Sequence, residues 1–152
     1  MTLFEFILAV HNILRWIVLV LVLIALVRAF WGWFGNREWT STDGKVGMFY
    51  SVSLDVQLLL GLILYFVLSP ITRIAFSDFG AALANTDLRF FVFEHVLMMV
   101  LAVIFAHVGV ATAKRAAEPV IKHRRTAIWF SLSLLAILPG MPWLRPLLPG
   151  LG

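Results

Sequence analysis

The sequence predicts an all-α integral membrane protein: a four-helix antiparallel bundle with both termini on the outer side. Three observations carry this. Of 152 residues, 62% are hydrophobic and only 13% charged, whereas soluble domains run near half apolar and a quarter charged. The apolar residues fall into four stretches with polar punctuation between them. The basic residues gather at alternate breaks, as orientation in a bilayer requires.

Crossing about 30 Å of hydrocarbon takes roughly 20 apolar residues, which predicts helices over 3–30, 46–68, 88–113 and 119–138 in a single domain spanning 1–152. The first lacks a basic leader, carries Glu5 at its start and has an apolar run too long for a signal peptide; it is expected to stay in the mature protein. "WGWFGNREWTSTDGK" separates it from the second. "SPITRIAFSDFGAALANTD" separates the second from the third and is expected to form a short interfacial helix. The fourth starts at Pro119, a residue suited to a first turn, and "PGMPWLRPLLPGLG" ends it. No internal repeat is evident, which counts against an inverted-repeat transporter.

Arg28, Arg37, Lys45, Lys114, Arg115, Lys122, Arg124 and Arg125 fall at one end of such a bundle. Arg73, Arg89 and Arg145 fall at the other, offset by Glu5, Asp78 and Asp87. The positive-inside rule then puts the two basic loops in the cytoplasm, with the chain multi-pass in the membrane. Trp31, Trp33, Trp39 and Trp143 read as interfacial anchors. Cysteine is absent, which excludes disulfides, thiolate metal sites, iron–sulfur clusters and covalent haem attachment. No glycine-rich phosphate loop or Ser–His–Asp pattern is present, and the basic residues are not arranged for nucleic acid.

Polar residues inside membrane helices are functional candidates. At 1.5 Å per residue, His11 and His95 each lie roughly 10 Å below the outer end, on helices that run the same way. Arg15 and Asp55 fall near mid-depth, close to Gln57, and form a candidate charge pair locking the first helix to the second. On the third helix His95, Met99, Ala102, Ala106 and Gly109 share a stripe; on the second, Gln57, Gly61 and Tyr65 share another. Two level histidines, a gap between helices and a basic group for propionates are what a haem in a four-helix bundle needs. His11, His95, Gly61 and Arg15 or Arg89 meet that need. The same stripes also suit plain helix packing. His107 and His123, lower down, form a weaker second pair, with His123 expected on a solvated cytoplasmic rim. Glu94 reads as a partner for Arg15, Arg89 or a mobile proton.

At "HNILRW", "DVQLLLGLILYFVLSP", "LRFFVFEHVLMM" and "KHRR" the chain resembles a group of small bacterial four-helix membrane proteins labelled cytochrome b-like. The resemblance runs over nearly the whole chain. It implies one haem b carried between helices, with His11 and His95 as ligand candidates. Asp55 is a position expected to vary in such a group, and a histidine there would offer a ligand that this chain lacks. The expected function is electron transfer between a quinone pool and a partner, as a small subunit of a respiratory or photosynthetic complex. Two other classes stay open. One is an accessory subunit without cofactor. The other is a small ion- or proton-handling protein using Arg15, Asp55, Glu94 and His95 as a relay.

Overall fold

Two capping boxes start the first two helices. Thr2 accepts a hydrogen bond from the Glu5 amide while Glu5 accepts one from the Thr2 amide, and Thr40 and Asp43 do the same; each motif satisfies two amides that a helix start leaves unpaired. α1 (Leu3–Phe34) therefore begins at the predicted point, but α2 (Ser41–Ile63) begins five residues earlier than its hydropathy suggests. Arg28 of α1 reaches Asp43 at 2.8 Å, which ties the box to the neighbouring helix. α1 also runs past residue 30, its last turn held by stacked Phe30, Trp33 and Phe34.

The structure, a computed structural model, describes residues 1–144; Arg145, counted above with the outer-end charges, lies outside them. The described residues are all-α, without strands. α2 continues as a π-helical turn over Leu64–Leu68, where the Ser69 amide reaches back to the Leu64 carbonyl at 2.8 Å. Pro70 then ends the run, because proline has no amide hydrogen and pushes its predecessor out of the helical region. Between the long helices, where one interfacial helix is expected, there are three short ones: α3 (Pro70–Ser77), α4 (Phe79–Ala84) and α5 (Thr86–Arg89). A second π turn, Phe90–Glu94, leads into α6 (His95–Lys114). α7 (Pro119–Gly140) follows, with proline in its first turn as predicted.

α1, α2, α6 and α7 pack in a ring, α1 on α2, α2 on α6, α6 on α7 and α7 back on α1. Their shared core holds Val18, Val22, Tyr50, Leu54, Ala102, Ala106 and Phe130. Ala102, Ala106 and Gly109 are buried. A methyl group at Gly109 would come within 2.9 Å of Phe130 and Trp129. Below Met99 the small-residue stripe of α6 is therefore a packing face for α7. Among the described residues three helical stretches are long and apolar enough to cross a membrane: Leu3–Phe34, Ser41–Leu68 and Thr86–Lys114. α7 stands apart because Lys122, His123, Arg124 and Arg125 occupy its first two turns.

One buried polar chain crosses the centre. Ser133 donates to the Ala102 carbonyl at 2.7 Å, so the Tyr50 hydroxyl must donate to Ser133 at 2.5 Å. Both residues are fully buried. Ser133→Ala leaves that phenol unpaired and is expected to lower stability by about 1–3 kcal/mol. Thermal unfolding in detergent reads this; an unchanged midpoint would contradict the hydrogen-bond chain.

Candidate functional site

Between the halves of the four long helices that lie at the N-terminal end of α1 is a cavity of about 370 Å³, within the range of roughly 300–1,000 Å³ typical of small-molecule sites. His11, Asn12 and Arg15 enter from α1, one turn apart on the same face. Gln57, Gly61 and Tyr65 enter from α2 and its π turn. His95 and Met99 come from α6, while Ile137, Met141 and Pro142 come from the end of α7. Ser69, Ile71 and Thr72 line it from the segment after the first π turn.

His11 and His95 face each other with ring centres 6.4 Å apart and planes at 68°. Two imidazole nitrogens, each about 2 Å from one metal ion, put the ring centres at roughly that spacing. His95 Nδ1 lies 2.6 Å from the Gly140 carbonyl. A carbonyl can only accept, so Nδ1 carries the hydrogen, and the neutral ring keeps its lone pair on Nε2. The carbonyl is available because it belongs to the last turn of α7, where no later amide reaches back. Gly140 can come this near because it has no side chain: a methyl group there would lie 2.7 Å from Met98 and Met99.

His11 is held through its backbone. Gln57 Nε2 donates to the His11 carbonyl at 3.0 Å. Gly61 makes room for the ring itself, since a methyl group at that position would sit 3.3 Å from His11 Cε1. The π turns are tied together beside the cavity. Tyr65 donates to the Val92 carbonyl at 2.8 Å, joining the two π segments, and Thr72 donates to the Tyr65 carbonyl at 2.7 Å. π turns recur at functional sites because the extra residue re-aims the side chains after it. The second one lies immediately before His95.

Arg15 is 7% exposed. Its Nη1 donates to the Pro142 carbonyl at 3.3 Å, and no carboxylate among the described residues pairs with it. Asp55, the expected partner, is hydrogen-bonded instead to His107 at 2.8 Å on the outside of the bundle. The reason is rotational. Asp55 and Gln57 are two residues apart and point about 200° apart on a helix, so with Gln57 in the cavity Asp55 faces away. Buried atoms without a partner among the described residues include His11 Nδ1, Arg15 Nε and Gln57 Oε1, all on residues that line this cavity.

The remaining candidates lie elsewhere. Arg89 pairs with Glu94 at 2.7 Å, a five-residue spacing that the intervening π turn brings onto one side, and neither lines the cavity. Glu94, Asp55 and Arg15 thus take three separate hydrogen-bond partners. His107 and His123 do not come together. His123 is 2% exposed, packed on Trp39 with ring centres 4.8 Å apart and seated where any side chain at Gly32 would collide with it. It is a core residue, not a rim residue. The Gly140 and Pro142 carbonyls and both π turns are additions that sequence reasoning missed. "PGMP" was legible only as a helix end, although a helix end is also where free carbonyls are found. No group of three or more His, Cys, Asp or Glu residues able to hold a metal ion occurs among the described residues.

Comparison with protein-family models, with curated proteins and with solved structures gives no match for this chain.

Proposed function

We propose that the chain is a multi-pass protein of the bacterial cytoplasmic membrane that holds one haem b between His11 and His95 and serves as an electron-transfer subunit. The observation that carries this is the facing imidazole pair, 6.4 Å apart across a largely apolar cavity, one of them oriented by a backbone carbonyl. Two imidazoles alone are a poor site for a bare ion. They would suit the iron of a haem, which His11 and His95 would hold from the protein side.

The residues present fit such a group. His95 offers Nε2, with Nδ1 fixed on Gly140 as metal-bound histidines commonly are. Gly61 leaves space beside His11 that a larger side chain would fill. Arg15 supplies a buried positive charge with unused donor capacity for a propionate. Haem, when bound, supplies one-electron chemistry. The chain's own residues orient the ligand rings, neutralise carboxylate charge and exclude water with the apolar wall of Leu8, Leu62, Phe91 and Met99.

In this reading α7 is the fourth span. Its buried face includes Ala127, Phe130, Ser133 and Ile137 and packs between α1 and α6, so neighbouring helices shield it from lipid and it needs less apolar surface of its own. The basic ends of α1, α2, α6 and α7 then face the cytoplasm and both termini lie outside. Partners would be other membrane subunits and a quinone.

The test is the reduced-minus-oxidised absorption spectrum of protein expressed with haem supplied. A b-type α-band is expected, and a colourless preparation would overturn the reading. Gly61→Leu, which fills the space beside His11, is expected to reduce bound haem at least tenfold while leaving helix content by circular dichroism unchanged. Full haem loading in that variant would move the site elsewhere.

A further inference from the structure

Asp55 and His107 are joined to each other, yet their side chains are 46% and 51% exposed. Asp55 stands midway along the Ser41–Leu68 stretch, and His107 about two turns inside the Lys114 end of its own. Around them the same face carries exposed Val52 and Leu59 on α2, three and four residues from Asp55, and Ile104 on α6, three from His107. Ionisable side chains within membrane helices almost always face protein or a water-filled cavity. Here a carboxylate and an imidazole sit on the outer surface of the bundle. Asp55 Oδ2 and His107 Nδ1 have no hydrogen-bond partner among the described residues.

We infer that two copies of this chain pair in the membrane through the α2–α6 face, with Asp55 of each opposite His107 of the other. The face is self-complementary. A two-fold axis along the membrane normal exchanges left and right and preserves depth, so α2 of one copy meets α6 of the other. Asp55 and His107 share one depth because they are hydrogen-bonded, so each acid then meets a base. That is the isologous arrangement in which residue i contacts j and j contacts i. Two carboxylates and two imidazoles, each ring donating through both nitrogens, close into a cycle with all these polar atoms paired and removed from lipid. Polar contacts of this kind matter in a bilayer, where apolar surface alone gives little drive for association.

The chain contains no cysteine, so introduced ones report without background. Two differently tagged full-length chains, one Leu59→Cys and one Ile104→Cys, are co-expressed and oxidised in native membranes. Disulfide-linked pairs carrying both tags are expected, at least tenfold above a control pairing Ile104→Cys with Val27→Cys on exposed α1. Introduced into both cysteine chains, Asp55→His alone or His107→Asp alone is expected to abolish the cross-link. Placing one substitution on each chain should restore it, because acidic and basic faces again meet. Cross-linking no better than the α1 control, linkage to a different protein, or charge variants that cross-link like their parent would each overturn the proposal.

Discussion

His95→Ala is expected to lower haem affinity by at least about a hundredfold, since changes to outer-shell partners alone cost about 10–100-fold. The variant removes one of the two imidazoles that would hold the haem and frees the Gly140 carbonyl. His11→Ala is expected to match it, because the two rings face one another across the same gap of 6.4 Å. His123→Ala is the control. It opens a hole beneath Trp39 and is expected to reduce stability, but it lies outside the cavity and should leave the haem content of the folded protein unchanged. The measurement is haem per chain in purified protein. Loss in His123→Ala with retention in His95→Ala would move the site to the end of the bundle that holds His123 and Trp39.

Arg15→Leu is the second large effect. The guanidinium is buried and meets a carbonyl but no carboxylate among the described residues. Hydrogen bonds to charged groups contribute about 1.5–3 kcal/mol, so removing the one offered to a propionate is expected to weaken haem binding by roughly ten- to a hundredfold. The apo-protein should respond in the opposite direction. Leucine relieves an uncompensated buried charge, so thermal stability without haem is expected to be equal or higher. A variant that loses apo-stability while binding haem normally would make Arg15 a helix lock and not an anion site. Asp55→Leu separates the two ideas further: it lies outside the cavity and should not change haem affinity.

Depth along the chain was legible and rotation was only partly so. Counting residues from the helix ends put His11 and His95 at one level, and their rings meet. The same counting put Arg15 level with Asp55, yet their side chains face opposite sides of α2. The angle of about 200° between Asp55 and Gln57 was available in the sequence and would have separated them. His107, a third of a turn off the His95 stripe, does point away from the cavity. "TSTD" was a readable capping box, but hydropathy set the predicted start of α2 and hid it. The π turns left no mark, since Leu64–Leu68 and Phe90–Glu94 are ordinary apolar helix sequence. The carbonyls of Gly140 and Pro142 were invisible for a related reason, because any residue offers a carbonyl and only the fold decides which is free.

The central claim is one haem held by two histidines, and its most direct test is a haem titration of the purified apo-protein. The reduced α-band should saturate at one haem per chain. The oxidised complex should give the low-spin electron paramagnetic resonance signal of two imidazole ligands, and that signal should vanish in His11→Ala. Saturation at two haems per chain, a signal unchanged in His11→Ala, or no specific uptake would contradict the account.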